Sequence, residues 1–334
     1  MLRRSQWSLL LAAAMVTTAC AAAPSQLAVQ LRPETAASAA HNDTSTPFNL
    51  VSLPALIEHE YDGRDFRVDH IVAEELGSTR YHISYHSGDL EISGQLSVPR
   101  RRGKHPLVVL AHGYERPATY RSGVALAREA AYLVALGYVV LLPDYRNHAA
   151  SDRDSAEPVA RPLGYTEDLV NAVLAIRRAR LPYVDVDRVG LLGRSMGGGV
   201  ALNAAEARPD LFDALVLYSP VSSSAADNYQ RWVAGGGALD DRVLAAYGSP
   251  GDNPGFWREA SARGYLDRVE VPVQVHHGVA DPVCPVSWSR ATVAALRRAG
   301  QSVEYFEYPG EDHRFDQGWP AMVERVAGFL DDHV

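Results

Sequence analysis

The sequence predicts an α/β protein built on a doubly wound, mostly parallel sheet with helices on both faces. Two observations support this: short, almost wholly apolar runs recur along the chain, and helical stretches lie between them. Such runs suit strands that are buried on both faces. Strands and helices that alternate through short links form right-handed crossovers, which place the helices on both faces of the sheet.

The strands follow in chain order. Residues 81–85 and 90–96 have a strand pattern, and the Ser87-Gly88-Asp89 segment between them is typical of a hairpin turn. A proline is tolerated near the first residue of a strand, so Pro272 does not exclude the fifth of the buried strands that follow. These buried strands are predicted at residues 107–111, 138–142, 189–192, 214–218, 271–275 and 303–308.

Helices are predicted at residues 124–136, 166–178, 285–299 and 319–329. Pro285 and Pro320 lie near helix starts, where a missing N–H group does no harm. Residues 221–268 separate two strands by more than a crossover helix needs, and they are predicted to form a short helical insertion. Two interpretations stay open for this insertion: a lid near the site, or a packed excursion with no special role.

The first 20 residues have the pattern of an export signal. Arg3 and Arg4 precede an apolar run, residues 9–16, that is too short to span a bilayer. Small residues before Cys20 resemble a bacterial lipoprotein signal, in which the cysteine is lipidated, although Thr17 departs from that pattern. Cleavage by the ordinary signal peptidase stays open. We expect an exported protein that is lipid-anchored to a bacterial membrane through Cys20, or is otherwise periplasmic or secreted.

Residues 21–48 are rich in small and polar residues and have no clear apolar period, so they are predicted to be a flexible linker before a folded domain at 49–334. The net charge of −8 argues against a nucleic-acid partner. The two cysteines, Cys20 and Cys284, provide neither a disulfide framework nor zinc spacing. Cys284 is expected to be a packed free thiol, and no metal or organic cofactor is expected.

The strongest chemical signal is Gly193-Arg194-Ser195-Met196-Gly197, between the apolar run 189–192 and a helical stretch at 200–205. This is the strand–turn–helix context that a Gly-x-Ser-x-Gly motif requires. The glycines allow a sharp turn and a close approach of strand and helix. Ser195 is therefore the candidate nucleophile, and the backbone N–H of Met196 is a candidate donor to an oxyanion.

A nucleophilic serine needs a base, and the expected chain order is serine, acid, histidine. Asp281 follows the strand at 271–275, and His313 follows the strand at 303–308. Loops at the carboxyl ends of parallel strands share one edge of the sheet, so Ser195, Asp281 and His313 are predicted to meet there. His313 is assigned as the base, with Asp281 to fix its tautomer and stabilise its cation.

Alternatives exist for each role. Glu311 or Asp312 can replace Asp281 as the acid, but both are too close to His313 in sequence for easy alignment. The rival bases are of two kinds: two lie at a strand end and read as packing residues, and two precede Ser195, which is the wrong chain order. These are His276 and His277, and His112 and His148, respectively.

A loop after the strand at 107–111 is expected to supply the second oxyanion donor. It begins His112-Gly113-Tyr114, and the backbone N–H of Tyr114 is assigned to this role. The segment Asp144-Tyr145-Arg146 follows the next strand and is expected to lock loops together.

Taken together and in order, these motifs resemble the α/β-hydrolase superfamily over about residues 80–334. They are most similar to the catalytic domains of its prolyl-oligopeptidase and dienelactone-hydrolase-like branches. The matching segments are His112-Gly113-Tyr114, Asp144-Tyr145-Arg146 with Ser151-Asp152, the Ser195 motif with Gly198, His277-Gly278 with Asp281 and Pro285, and Tyr308-Pro309-Gly310 with His313 and Phe315. The resemblance implies a serine hydrolase with the α/β-hydrolase fold.

Two departures from these branches matter. Dienelactone hydrolases carry cysteine where this chain has Ser195. Prolyl oligopeptidases carry a β-propeller, for which the roughly 50–60 available residues are too few. The leading hypothesis is therefore hydrolysis of small carboxylic esters through an acyl-enzyme on Ser195. A serine aminopeptidase or amidase acting on short peptides is the first alternative, and an inactive lipid-anchored binding protein is the second.

Overall fold

The computed structural model describes residues 52–154 and 161–334. The predicted leader at 1–20, with Cys20, and the predicted linker at 21–48 lie outside the described residues. Within the described ranges, no helix is both long and apolar enough to cross a bilayer.

A nine-stranded sheet organises the described residues. Its strands are β1 (Arg64–Glu75), β2 (Ser78–Ser87), β3 (Leu90–Pro99), β4 (His105–Ala111), β5 (Val139–Pro143), β6 (Val184–Arg194), β7 (Ala214–Tyr218), β8 (Val273–Gly278) and β9 (Val303–Tyr308). They lie in the order β1-β2-β3-β5-β4-β6-β7-β8-β9. Strands β1 to β3 are antiparallel to their neighbours, whereas every pairing among β4 to β9 is parallel.

Helices cover both faces of this sheet. They are α1 (Leu53–Glu58), α2 (Ala127–Leu136), α3 (Arg161–Ala179), α4 (Met196–Ala207), α5 (Ala225–Trp232), α6 (Ala238–Tyr247), α7 (Pro254–Glu259), α8 (Val286–Arg298) and α9 (Trp319–His333). One core cluster joins the sheet to α3, α4 and α8, and a second joins it to α2 and α9. The predicted doubly wound α/β fold is confirmed.

Strand β4 shows why a short, wholly apolar run predicts a strand inside a doubly wound sheet. Leu107, Val109 and Ala111 enter one core cluster, while Val108 and Leu110 enter the other. Successive side chains on a strand point to opposite faces, so a strand with helices on both sides must be apolar at every position.

Among the boundaries that differ from prediction, those of β8 and α2 involve a proline and a left-handed residue. β8 begins at Val273 and runs to Gly278, so its last three residues extend beyond the predicted end at 275. Pro272 precedes the strand and contributes its carbonyl to the Leu215 N–H at 3.0 Å. α2 begins at Ala127 rather than at residue 124, because Leu126 has a left-handed backbone with φ 55°.

The predicted insertion at 221–268 is helical. It holds α5, α6 and α7, followed by two short 3-10 turns, Ala262–Gly264 and Leu266–Arg268. Tyr229, Val243 and Trp257 form a small apolar cluster of their own within it. A role as a lid stays a prediction.

Candidate active site

Ser195 occupies the turn between β6 and α4. The strand ends at Arg194 and the helix begins at Met196, so one residue separates them. The Ser195 backbone has φ 57° and ψ −123°, which L-residues rarely adopt. This conformation turns the chain sharply and leaves the side chain clear of both elements.

Two glycines leave room for this turn. A Cβ added at Gly193 would lie 2.3 Å from the Gly197 carbonyl oxygen, and one added at Gly197 would lie 2.0 Å from the Ala111 carbonyl oxygen. Both distances are far inside van der Waals contact. Any side chain at either position would therefore push α4 away from the strands beneath it.

The backbone around Ser195 is fixed by hydrogen bonds. The Ser195 N–H donates to the Tyr218 carbonyl at 3.0 Å, and the Ser195 carbonyl accepts from the N–H groups of Gly198 at 2.9 Å and Val221 at 3.1 Å. Met196 supplies the first N–H of α4, which has no acceptor within the helix. That N–H lies next to the serine, where an oxyanion would form in acyl transfer.

Asp281 and His313 lie together at the carboxyl edge of the sheet. Nδ1 of His313 is 2.7 Å from Oδ2 of Asp281. The other carboxylate oxygen, Oδ1, accepts from the N–H groups of Val283 at 2.8 Å and Cys284 at 2.9 Å. Asp281 is therefore held on both oxygens, with one of them directed at the His313 ring.

The environment of Asp281 keeps its carboxyl group ionised. Burial opposes the charge, but hydrogen bonds from His277, His313 and the Cys284 N–H outweigh burial and hold the pKa of Asp281 well below its usual range. An ionised acid beside Nδ1 favours the tautomer of His313 that carries its proton on Nδ1. Nε2 is then free to accept a proton.

The rival acids and bases have other partners. Glu311 accepts from the N–H groups of Asp316 and Gly318, both at 2.8 Å, and Asp312 accepts from the Arg314 N–H at 2.8 Å. Among the described contacts, neither carboxylate reaches the His313 ring.

Two of the rival bases, His112 and His276, are enclosed in the core. Burial lowers the pKa of His112 to about 4 and that of His276 to about 3, which favours the neutral form of both rings. The His112 nitrogens lie against the carbonyls of Gly113 and Asp144, one of which accepts its N–H, whereas His276 bonds Tyr308 and Gln274. Their geometry is that of packing residues.

The structure places Ser195 near this pair without a direct bond to it. Among the described hydrogen bonds, none joins the Ser195 hydroxyl to the His313 ring. The Ser195 side chain interacts instead with the thiol of Cys284, whose N–H binds Asp281. Burial and the Asp281 charge raise the pKa of the Cys284 thiol to about 12, and the hydrogen bond with Ser195 offsets part of this rise. The thiol is therefore protonated, as expected for a packed cysteine.

The loop after β4 lies against the serine. A Cβ added at Gly113 would be 3.1 Å from Cβ of Ser195 and 3.3 Å from the Arg194 carbonyl oxygen. Tyr114 follows directly, and its side chain is 69% exposed. The backbone of residues 113–114 is thus the part of this loop nearest the nucleophile.

The loop after β5 locks neighbouring segments together. The Arg146 guanidinium donates to Asp168 and Glu167, each at a shortest distance of 2.7 Å. Asp144 accepts from the Ser93 hydroxyl at 2.7 Å and from the Tyr120 hydroxyl at 3.0 Å. These contacts of Arg146 and Asp144 agree with the expectation that the segment locks loops together. They hold the loops that lie next to His112.

The segment that carries His313 is anchored from α2. The Arg128 guanidinium donates to the carbonyls of Arg314 at 2.7 Å and Phe315 at 3.1 Å. It also lies 4.6 Å from the ring centre of Trp319, whose indole N–H donates to Glu129 at 3.0 Å. Arg128 also donates to Glu129 at 3.3 Å. Sequence reasoning missed the role of Arg128 here, because its partners in this segment are main-chain atoms 186 and 187 positions away.

The insertion contacts the loop that carries the acid. Arg231, near the end of α5, donates to the carbonyls of Pro282 at 2.6 Å and Val283 at 3.3 Å. The neighbouring Trp232 packs edge-on against Trp288 with ring centres 5.4 Å apart. The start of the insertion is therefore tied to the segment that follows Asp281.

A second histidine contacts Asp281 and was not assigned this role from the sequence. Nε2 of His277 lies 3.2 Å from Oδ2 of Asp281, and both side chains are fully buried. The available signal was the four-residue spacing between a strand-end histidine and the acid. The residues alone did not show which of the adjacent His276 and His277 faces Asp281.

Comparisons with known proteins identify the family and the fold. Residues 125–334 match the prolyl oligopeptidase family. The acylamino-acid-releasing enzyme of Arabidopsis thaliana is 25% identical over 227 residues, which cover 66% of this chain and 29% of that protein. The chain thus spans less than a third of the length of this relative.

Solved structures share the fold. An acetyl xylan esterase from Paenibacillus sp. R4 is similar with a TM-score of 0.66 and 17% identity, covering 84% of this chain and 92% of that chain. An acylaminoacyl peptidase from Pyrococcus horikoshii is similar with a TM-score of 0.59 and 21% identity, covering 77% of this chain and 41% of that chain.

Proposed function

The chain belongs to the prolyl oligopeptidase family and is a serine hydrolase with the α/β-hydrolase fold, and we propose that it hydrolyses carboxylic esters through an acyl-enzyme on Ser195. The observation that carries this proposal is the 2.7 Å contact between Asp281 and His313 at the sheet edge where Ser195 occupies a strained turn. Nucleophile, acid and base follow each other in the chain order expected for this fold.

The proposed reaction has two halves. Oγ of Ser195 attacks the ester carbonyl carbon while Nε2 of His313 takes the hydroxyl proton. The tetrahedral intermediate collapses, the C–O bond to the alcohol breaks, and His313 gives its proton to the departing oxygen. Water then attacks the acyl-enzyme with His313 again as base, which releases the acid and restores Ser195.

The negative charge that develops on the carbonyl oxygen needs donors. We assign the N–H groups of Met196 and Tyr114, since Met196 begins α4 and the residue 113–114 backbone lies against Ser195. Loss of one such donor typically raises the barrier by about 2.7–4 kcal/mol. Asp281 stabilises the imidazolium form of His313 in both halves.

The proposed mechanism requires His313 to approach the Ser195 hydroxyl when substrate binds. Catalytic hydrogen bonds are often long in unliganded enzymes and shorten in the Michaelis complex.

Two considerations favour esters over peptides. The similar acetyl xylan esterase is matched over 92% of its length, whereas the similar acylaminoacyl peptidase is matched over 41%. An ester also demands less of the site, because an alcohol oxygen is a better leaving group than an amide nitrogen.

A peptidase or amidase activity is the second candidate. It is favoured by the family match and by the 25% identity to an acylamino-acid-releasing enzyme. Ester and amide cleavage use the same triad and the same oxyanion donors. A panel that pairs each acyl group as a p-nitrophenyl ester and as an anilide separates the two through kcat/KM.

The test of the proposal compares the wild type with Ser195→Ala on short-chain p-nitrophenyl esters. We expect the substitution to abolish turnover and labelling by a fluorophosphonate probe. Ser302→Ala serves as the matched control, because Ser302 lies just before β9 at the opposite edge of the sheet. Equal ester hydrolysis by wild type and Ser195→Ala would refute the proposal.

A further inference from the structure

His277 is a fully buried histidine that contacts the predicted catalytic acid. It lies near the end of β8, and its Nε2 is 3.2 Å from Oδ2 of Asp281. The same oxygen accepts from Nδ1 of His313 at 2.7 Å. Two imidazole rings, one on each side, therefore share one carboxylate oxygen.

The contacts of His277 fix which nitrogen carries a proton. Nε2 faces two acceptors, Oδ2 of Asp281 and the Cys284 carbonyl oxygen at 2.9 Å. Neither of these atoms can donate while Asp281 is ionised, so Nε2 must carry a hydrogen. Nδ1 lies 2.6 Å from the Ser289 hydroxyl, which donates to it when the ring is neutral. Ser289 and Cys284 thus hold the ring with its protonated Nε2 beside Oδ2 of Asp281, and the Cys284 carbonyl is the nearer acceptor.

We propose that His277 is a positioning residue for the reaction, which holds Asp281 ionised and keeps its Oδ2 directed at His313. The inference rests on the proposed function, because it concerns the acid of the same site. Hydrogen bonds to an ionised group are about twice as strong as neutral ones, so each donor to a buried carboxylate favours its ionised form. The low pKa of Asp281, to which hydrogen bonds from His277 and His313 contribute against burial, agrees with this role.

The other charged groups around these rings have their own partners. Glu307 of β9 is paired with Arg290 of α8 at 2.7 Å. Arg231 of α5 donates to the carbonyls of Pro282 and Val283. The Cys284 thiol is protonated and interacts with Ser195. Among the described contacts, His277 and His313 are the side chains with a ring nitrogen within 3.2 Å of the Asp281 carboxylate.

Removing His277 has a defined consequence for pH dependence. Without the Nε2 donor, Asp281 becomes more basic and holds the protonated form of His313 more tightly. The acid limb of kcat/KM, the part of the pH profile below its plateau, then moves to higher pH. The carboxylate also loses one of the bonds that orient it, which lowers kcat without changing substrate contacts.

Strand β8 offers a matched control. His276 is the adjacent residue and is equally buried, but its ring points to the other face and contacts Tyr308 and Gln274. His276→Leu therefore removes a buried histidine from the same strand and leaves the donors to Asp281 in place.

The experiment compares His277→Leu, His277→Gln and His276→Leu with the wild type. For His277→Leu we expect kcat to fall about 10- to 100-fold, as for loss of one hydrogen bond to a charged group, with KM within about twofold. The acid limb should rise by about half a pH unit or more. Glutamine can donate from its own Nε2, so His277→Gln should recover most of the loss and keep the wild-type limb.

Two readouts separate this inference from the proposed function. The pH dependence of Ser195 labelling by a fluorophosphonate reports the ionisation of the base without a chosen substrate. NMR titration of the His313 ring reports that ionisation without any reaction. An unlabelled wild type would refute the proposed function, while the titration still tests His277. If His313 titrates in His277→Leu as it does in His276→Leu, the positioning role is wrong.

Discussion

Nδ1 of His313 lies 2.7 Å from Oδ2 of Asp281, although 32 positions separate the two residues in the chain. Asp281 follows β8 and His313 follows β9, and these neighbouring strands are parallel. The contact exists because both strands end at the same edge of the sheet. Its geometry matches the acid–histidine half of a catalytic triad.

Asp281→Asn should lower kcat by about 10⁴-fold, because an amide at this position favours the wrong tautomer of His313 and cannot stabilise its cation. KM should change little, since the side chain lies behind the histidine rather than against the substrate. Steady-state kinetics on a p-nitrophenyl ester measure both constants. A fall of less than tenfold would show that another group serves as the acid.

The same carboxylate should make stability depend on pH. The pKa of Asp281 is lower in the folded protein than in the unfolded chain, so its ionised form stabilises the fold. This contribution is complete above the unfolded pKa of about 4 and is lost as pH falls through the folded pKa. Urea unfolding of wild type and Asp281→Asn should show a difference in unfolding free energy that is constant above about pH 5 and shrinks at lower pH. A difference that grows on acidification would contradict this assignment.

Alanine substitutions at Gly113 and Tyr114 should differ in their effect on kcat. A Cβ at Gly113 would come within 3.1 Å of Cβ of Ser195, so Gly113→Ala should displace the nucleophile and lower kcat by about 10- to 100-fold. Tyr114→Ala keeps the backbone N–H and removes a side chain that is 69% exposed, so kcat should stay within about threefold. A large loss in Tyr114→Ala would assign the oxyanion contact to the phenol instead.

The sequence predicted the parallel strands and the meeting of Asp281 with His313 because both follow from simple patterns. Strands buried on two faces must be apolar throughout, and loops at one sheet edge must lie close together. The residue types of a nucleophilic site then identify the candidates on those loops.

Burial on both faces of a strand also explains why the sequence did not reveal the role of His277. Both faces of β8 are buried, so its polarity does not alternate, and the residues alone did not reveal which of His276 and His277 faces Asp281. The left-handed backbone of Leu126 could not be predicted for a different reason. Its neighbours are apolar and compatible with a helix, so the sequence gives no sign that the helix begins only after it. Contacts with main-chain carbonyls, such as those of Arg128, leave no pattern in the sequence at all.

We propose that the mature protein is lipid-anchored through Cys20, as the leader pattern predicts. Expressed in a bacterial host, the wild type should sediment with membranes and incorporate labelled palmitate, whereas Cys20→Ser should do neither. The other cysteine provides the control, and Cys284→Ser should remain membrane-bound. Equal membrane association of Cys20→Ser would exclude this anchor.

Arg128 should support catalysis from outside the triad. Its guanidinium bonds the carbonyls of Arg314 and Phe315, directly after His313, so Arg128→Met should loosen the segment that carries the base. We expect kcat to fall about 10- to 100-fold with little change in KM, since small misplacements of a catalytic group are costly. Steady-state kinetics and thermal unfolding of the same samples measure the two effects.

Arg325→Met is the matched control for this prediction. Arg325 also lies over aromatic rings, at 4.7 Å from Phe306, and it donates to the Tyr308 hydroxyl at 3.0 Å rather than to the His313 segment. Its loss should lower the melting temperature and leave kcat within about threefold. If both variants lose kcat in proportion to their loss of stability, Arg128 acts on the fold alone. A loss confined to Arg128→Met would show that α2 sets the position of the base through two main-chain carbonyls.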